Sequence, residues 1–337
     1  MVNKLFNNNV FINTILFYER RIKLDKNNDK EKVNNKFHSG FVSILGRTNV
    51  GKSSIMNSLI KEKVSAIANK PQTTRTAIRG ILTTEDFQVV FVDTPGIHKP
   101  KSKLGDIMVE TAYGISKDVD LILFVIDASS KDIGKGDQMI LEKIKESKKK
   151  CILVLNKTDL TSKENLANLI SLYSKEYDFK AVVPVSVIKN NNLDVLLTEI
   201  KNNLDEGPLY YSEDEYTDQS IRDLVEETIR EKSLNTLKDE VPHGILVECS
   251  KVKMGRTEEN ERFYNIDATI YCVRESHKGI IIGKGGLMLK KIGTQSRIEL
   301  EKMLNMKVNL NLWVKVKKDW INDTNLLKKF KFNNKDN

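Results

Sequence analysis

The sequence predicts a doubly wound α/β domain followed by a smaller α+β domain, and three observations carry that prediction. Short apolar runs alternate with longer amphipathic segments from Phe41 to about residue 204. A glycine- and lysine-bearing stretch, GRTNVGKSS, lies directly between the first run and a helical pattern. Beyond Leu204 the periodicity stops, and a different order of elements begins.

The runs FVSIL, QVVFV, LILFVI, CILVL and AVVPV are bounded by polar or glycine residues. Near-continuous apolar strands of this length are those of a parallel sheet covered on both faces. KSSIMNSLI and GDQMILEKIKESKK carry helical spacing and supply the cover. AIRGILTT, from Ala77, reads as a strand added beside that sheet. The polar, acidic DEGPLYYSEDEYTDQS has no apolar periodicity and contains Gly-Pro, which marks a linker over 206–220. A second domain over 221–330 then reads helix (Ile221 to Leu237), strand (Ile245 to Val252), strand (Phe263 to Val273), helix, glycine loop, helix to Leu304, strand (Val308 to Val316), helix. The first domain occupies 38–205, with weakly ordered ends at 1–37 and 331–337.

The chain of 337 residues, 39% of them hydrophobic, is long enough for two cores. Its 55 Lys and Arg against 46 Asp and Glu leave +9, which suits a polyanionic partner without requiring one. Cys151, Cys249 and Cys272 stand singly, without disulfide or zinc spacing, and fit a reducing cytosol. The four histidines are scattered, so no histidine metal site is expected. In the first 37 residues the apolar run VFINTILFY is far shorter than the roughly 20 residues that span a bilayer. Its charges, ERRIK, follow the run instead of preceding it, so a cleaved secretory signal is not expected.

Gly46, Gly51, Lys52 and Ser53 complete GxxxxGKS after a strand and before a helix, the setting in which backbone amides cradle phosphates. Gly46, Arg47, Thr48, Asn49, Val50, Gly51, Lys52, Ser53 and Ser54 are the expected phosphate loop. Lys52 would reach the terminal phosphates, and the Ser53 hydroxyl would ligate Mg²⁺. VVFVDTPG supplies Asp93 as the carboxylate of the magnesium shell; Thr94, Pro95, Gly96 and Ile97 follow it, with the Gly96 amide placed for a γ-phosphate. In LVLNKTDL, Asn156, Lys157, Thr158 and Asp159 follow another strand. A carboxylate at Asp159 accepts two hydrogen bonds from guanine and none of that pattern from adenine, so GTP and GDP are the expected ligands. Ser186 and Val187 end the next strand, where a backbone amide would meet the guanine oxygen.

In these motifs the chain resembles the translation-factor-related GTPases, specifically the Era family, from about Gly40 to Val316. The resemblance makes PQTTR, Pro71 to Arg75, the first switch segment, with Thr74 rather than Thr73 closing on Mg²⁺; the second runs from Asp93 to Lys101. Where the family has Ser-Ala at the last guanine motif, this chain has Ser186-Val187. Ile97 occupies the position where many small GTPases carry the glutamine that orients water, so another aid to hydrolysis is needed. In related GTPases an asparagine three residues before the P-loop lysine helps hold potassium. Asn49 matches it, which implies slow, potassium-stimulated hydrolysis.

The second glycine loop, Gly283-Lys284-Gly285-Gly286, lacks the four-residue spacer and the Ser or Thr of a phosphate loop. A GxxG loop between short helices clamps a nucleic-acid backbone in KH domains, and the order of elements resembles the type II KH domain that ends Era proteins. Glycine lets the main chain approach phosphates, and Lys284 and Lys290 add charge. From Arg274 to Lys302 seven Lys or Arg face three Asp or Glu. Ile281, Ile282 and Leu287 are expected to line the face on which bases lie. Trp313, in the alternating LNLWVKV, is open to a core or a stacking role, and neither it nor Trp320 is taken as a ligand.

The resemblance implies a monomeric, cytoplasmic GTPase that binds 16S rRNA near its 3′ end and assembles the small ribosomal subunit. It also implies peripheral contact with the inner face of the membrane, for which the sequence offers no anchor. The rival reading is a GTP-controlled protein whose second domain docks a protein or a membrane; an ATP-dependent enzyme conflicts with Asp159.

Overall fold

The computed structural model describes residues 36–68, 70, 73–97, 100, 102–238 and 241–329. Of the extension expected over 1–37, residues 1–35 lie outside these residues, as do the tail from 331 and Pro71, Gln72, His98, Lys99 and Lys101 of the two switch segments.

Six strands, β1 (His38–Leu45), β2 (Ile78–Thr83), β3 (Phe87–Asp93), β4 (Leu121–Asp127), β5 (Lys150–Asn156) and β6 (Ala181–Pro184), form one sheet in the order β2-β3-β1-β4-β5-β6. All neighbours are parallel except β2, which pairs antiparallel with β3 at the edge. This is the added strand read from AIRGILTT. Helices α1 (Lys52–Ile60), α2 (Lys103–Asp118), α3 (Lys135–Ser147), α4 (Lys163–Glu176) and α5 (Leu193–Asn203) cover both faces. Alternate strand residues show why. Val42, Leu123, Val125, Ile152 and Val154 pack with Ile55 and Met56 of α1 and Leu196 and Ile200 of α5. Their neighbours Ile122, Phe124, Leu153 and Leu155 pack with α3 and α4 on the other side. Both faces are apolar, so the sheet is wound twice.

Because β1 lies between β3 and β4, the chain crosses to opposite sides after it. The carboxyl end of β1 is therefore a topological switch point, where open α/β sheets bind ligands.

The second sheet has the order β7 (Leu246–Arg256), β8 (Arg262–Cys272), β9 (Lys307–Val316), the first pair antiparallel and the second parallel. Helices α6 (Ile221–Thr236), α7 (Glu275–Ile282) and α8 (Leu287–Leu304) share a core with it, and α9 (Thr324–Lys329) follows. α6 starts where the sequence suggested because Ser220 and Asp223 form a reciprocal capping box. The β7–β8 hairpin is longer than expected, since the polar residues up to Arg256 pair across to Arg262 while remaining largely exposed.

The segment read as a linker is bonded along the first sheet. Tyr210 and Tyr211 donate their amides to Gln88 Oε1, and Ile81 donates its amide to Tyr216 O at 2.9 Å. A second seam buries Leu104 and Met108 of α2 against Leu246, Trp320 and Leu327. Trp320 is wholly buried and donates to Gly244 O at 3.0 Å. Trp313 is 47% exposed: the alternation of β9 places it with Asn309 and Asn311, opposite the buried Val308 and Val314. That settles the open choice against a core position.

Candidate active site and nucleic-acid loop

The carboxyl ends of β1 and β3 open onto a cleft of about 400 Å³ lined by Thr48, Asn49, Gly51, Lys52, Ser53 and Ser54, with Ala66 to Ala68, Thr73, Thr74 and Gly96. Three sequence motifs thus meet around one space. The loop from Gly46 to Gly51 is fixed from below. Ile97 donates its amide to Gly46 O at 3.1 Å, and Asn156 Nδ2 donates to Val50 O at 2.9 Å. Arg47 Nε donates to Asp137 Oδ1 at 3.0 Å. Asp137 is wholly buried at the start of α3, and burial pushes its carboxyl up against the opposing pull of Arg47. No motif marks this partner, which lies 90 positions downstream.

Lys52 Nζ donates to the carbonyls of Gly46 at 3.2 Å and Arg47 at 2.9 Å. It is 6% exposed, and burial pulls its pKa from 10.5 down to about 8, partly opposed by Asp93.

Asp93 is wholly buried at the end of β3. Its Oδ2 accepts hydroxyl bonds from Ser53 at 2.6 Å, Ser65 at 2.8 Å and Thr74 at 3.2 Å. Oδ1 has no hydrogen-bond partner among the described residues. Desolvation pushes the carboxyl up, and Lys52 leads the groups that oppose it. The hydroxyls of Ser53 and Thr74 are 3.1 Å apart. Thr73 instead donates to the carbonyls of Ala68 and Lys70, so the structure separates the two threonines. Among the described residues no group of three or more His, Cys, Asp or Glu could hold a metal by itself. The hard oxygens of Ser53, Thr74 and Asp93 fit Mg²⁺, which binds through few protein ligands and completes its shell with water and phosphate. Thr94 and Pro95 are buried, with Thr94 Oγ1 donating to Ile44 O at 2.8 Å. Ile97 is 2% exposed, as an aliphatic side chain in that place must be.

The residues expected to read guanine stand at the carboxyl ends of β5 and β6, joined to the P-loop by the bond from Asn156 to Val50 O. Asp159 is exposed and accepts from the Ser186 hydroxyl at 2.5 Å. Thr158 is tied to Val185 O through both its amide and its hydroxyl, and Val187 donates its amide to Asn156 Oδ1 at 3.4 Å. Lys157 holds a left-handed backbone (φ 66°) and pairs with Asp127 at 2.7 Å. Asp127, the last residue of β4, went unnoticed in the sequence; a carboxylate ending the apolar run LILFVI was its only signal.

The second glycine loop lies between α7 and α8. Gly283, Gly285 and Gly286 have φ of 73°, 60° and 78°, values open to glycine at little cost. A Cβ at Gly283 would meet Met288 Cβ at 2.7 Å, whereas those at Gly285 and Gly286 would enter open space. Lys284, Leu287 and Lys290 are exposed beside the loop and Ile282 is half-buried. Ile281, expected on the base-lining face, is instead wholly buried in the core of the second sheet. Burying such a side chain contributes roughly 1.5–3 kcal/mol to the fold, which holds Ile281 in the core. Ile280, 49% exposed, presents its side chain to solvent instead.

The two sites are connected. Arg230 of α6 donates to Thr73 O, Arg75 donates to Ile245 O at 2.5 Å, and Lys70 donates to Leu237 O. The first switch segment therefore rests on the second domain.

Comparison with known proteins gives two family models that match this chain: a 50S ribosome-binding GTPase over residues 41–157 and a KH domain over residues 240–321. The GTPase Era of Clostridium botulinum (strain Eklund 17B / Type B) is 51% identical over 299 residues, 89% of this chain and 100% of that protein. The GTPase Era of Caldicellulosiruptor saccharolyticus is 51% identical over 300 residues, 89% of this chain and 99% of that protein. A crystal structure of Era with MgGDPNP and nucleotides 1506–1542 of 16S ribosomal RNA superposes with a TM-score of 0.84 at 38% identity, covering 88% of this chain and 99% of that one. A variant of Aquifex aeolicus Era bound to GDP and AlF₄⁻ gives 0.83 at 38% identity, with the same coverage.

Proposed function

Because the chain belongs to the Era family and is a GTPase, we propose that it is a GTP-controlled, 16S rRNA-binding assembly factor of the small ribosomal subunit. GTP and GDP occupy the cleft between the P-loop and Ser186, and Gly283-Lys284-Gly285-Gly286 holds single-stranded RNA near the 3′ end of 16S rRNA. The observation that carries this reading is the pairing, in one chain, of two loops of glycine and lysine, with the segment from Thr73 to Arg75 beside the first resting on the second domain. In support, a relative of the same architecture is seen with MgGDPNP and 16S nucleotides 1506–1542.

In the cleft, Lys52 meets the β- and γ-phosphates, exchanging its bonds to the Gly46 and Arg47 carbonyls for charge-assisted ones. Ser53 and Thr74 present hydroxyls to Mg²⁺, and Asp93 orients both. When bound there, Mg²⁺ would supply positive charge to offset the charge that develops on the phosphates. Gly96, packed on Thr48, brings its backbone to the γ-phosphate end. Asp159 reads the guanine N1 and N2 hydrogens, while Ser186 holds that carboxylate in place. No side chain at Ile97 activates water, so turnover is slow; the Asn49 amide oxygen, on the cleft wall, helps hold K⁺ against the phosphates.

At the RNA loop, backbone amides freed from side-chain crowding at Gly285 and Gly286 approach the phosphates, with Lys284 and Lys290 adding charge. Bases pack beside Leu287 and Ile282. GTP acts on this loop through α6, whose Arg230 holds the first switch segment.

A short RNA from the 16S 3′ end tests the reading. Lys284→Asp combined with Gly285→Asp should lower its affinity at least tenfold, roughly the effect of reversing the charge at one phosphate contact and adding a negative charge beside it, while GTP turnover stays within about twofold of the parent. Asp tolerates the left-handed backbone at residue 285, and nothing there obstructs a side chain. Unchanged RNA affinity would transfer the second domain to a protein or membrane partner.

A further inference from the structure

One of the three hydroxyls on Asp93 belongs to no nucleotide motif. Ser65 is 1% exposed and lies in a short connection after α1, yet its Oγ donates to Asp93 Oδ2 at 2.8 Å. The connection is held stiffly. Asn57 Oδ1 accepts the amides of Val64 at 3.0 Å and Ser65 at 2.9 Å, and Asn57 Nδ2 donates to Ser65 O at 2.8 Å. Three backbone groups around Ser65 are thereby fixed to one side chain of α1.

The other edge of this strap grips the second domain. Lys63 pairs with Glu231 of α6 and Glu299 of α8, each at 2.9 Å. Gln219, just ahead of α6, donates to Val64 O at 3.0 Å. The Ile67 amide reaches Glu231 Oε2 at 3.4 Å, and Ile67 O accepts from Asn235 at 3.2 Å. Ser65 therefore stands two residues from an anchor on either side. α6 and α8 share a core in which Val225, Ile229, Ile292 and Leu300 are wholly buried, so both move with the glycine loop that α8 begins from.

We propose that Ser65 is a positioning residue that ties the Asp93 carboxylate to α6 and α8. Through it the nucleotide state of the cleft and the placement of the RNA-binding domain bias one another. The inference rests on the reading of Asp93 as the magnesium-shell carboxylate. It adds a route beside the switch threonines: the segment from Lys63 to Ile67 carries it, and among the described residues its hydrogen bonds and ion pairs reach neither Thr73 nor Thr74, although Thr74 shares Asp93 Oδ2 with Ser65. Linkage is reciprocal, so loosening α6 must be felt in the cleft, provided Ser65 is present to transmit it.

A double-mutant cycle on the full chain tests this without RNA. The affinity of a non-hydrolysable GTP analogue with Mg²⁺ is measured for the parent, Ser65→Ala, Glu231→Ala and the double variant. Glu231→Ala should weaken binding three- to tenfold when Ser65 is present and less than twofold when it is alanine. The same fold-change in both backgrounds would overturn the proposal. Asn235→Ala, at an exposed position, repeats the cycle if Glu231→Ala unfolds the chain. Hydrogen exchange supplies a second readout: the analogue should alter protection along α6 in the parent and leave it unaltered in Ser65→Ala. Running the cycle again in EDTA separates the two ideas. A parent affinity indifferent to the chelator strikes the magnesium reading, and the presence or absence of coupling between Ser65 and Glu231 still decides the relay.

Discussion

Lys52 and Lys284 both sit in glycine-bearing loops at the start of a helix, yet one is 6% exposed and the other is open to solvent. The P-loop is held by Asn156, Ile97 and Arg47, and Lys52 already has two carbonyl partners. The Gly283 to Gly286 loop has a built turn, with Gly286 donating to Gly283 O at 3.1 Å, and space in front of it. On the proposed function, the difference follows from the two ligands. A nucleotide must be gripped at fixed atoms for chemistry, so its loop is preorganised. A polymer backbone arrives from solvent and is held at several weak contacts, so its lysines stay hydrated until it comes.

The largest test of this contrast is Lys52→Ala. Removing a preorganised charge from a buried site should reduce GTP turnover by roughly 10²-fold or more, read in a single-turnover assay, with RNA affinity of the nucleotide-free protein unchanged. A smaller loss, of the size expected from an exposed lysine, would erase the distinction. The same residue gives a pH signature. With the free protein's Lys52 at about 8, bound phosphates hold its proton to higher pH, so nucleotide affinity is flat below that value and falls above it. The fall approaches tenfold per unit. Stability moves the other way: between about 8 and 10.5 the unfolded chain holds more protons at this residue, so the contribution of Lys52 to the free protein's stability rises with pH. Lys52→Ala should abolish both trends, whereas Lys284→Ala should leave both intact.

A middle-sized effect is expected at Asn49. Its left-handed backbone (φ 64°) is tolerable for asparagine, and its side chain lines the cleft. Turnover in potassium should exceed that in sodium by roughly tenfold, and Asn49→Ala should bring the two rates together. Equal rates in the parent would remove K⁺ from the site.

The strand runs and the GxxxxGKS, DTPG and NKTD motifs were legible because each fixes its neighbours: an apolar strand delivers a polar loop to one edge of the sheet. The start of α6 at Ile221 was likewise legible, and the capping box of Ser220 and Asp223 that fixes it is a local feature. What stayed hidden depends on contacts between distant residues. Asp137 supports Arg47 from 90 positions away, and Ser65 reaches Asp93 from a stretch with no motif. Ile281 misled because three consecutive isoleucines carry no periodicity; only the packing of α7 decides that the middle one is buried and Ile280 is not. Trp313 and Trp320 show the same limit, one on the open face of β9 and the other sealed between α2 and the rest of the second domain.

The smallest effect distinguishes the loops by ionic strength. Each phosphate contact made by an exposed lysine releases a condensed counterion, so the log of RNA affinity falls with log salt by about 0.7 per contact on a single strand. Lys284→Ala should therefore weaken RNA binding only a few-fold at moderate salt while lowering that slope by about 0.7. GTP carries no such counterion atmosphere along a polymer, and Lys52 meets it in a buried site that salt screens weakly. Nucleotide affinity should thus depend little on salt in the same series. If Lys284→Ala left the slope unchanged, the loop would be shaping its helices without touching phosphate. The contrast between the two lysines would then be one of burial alone.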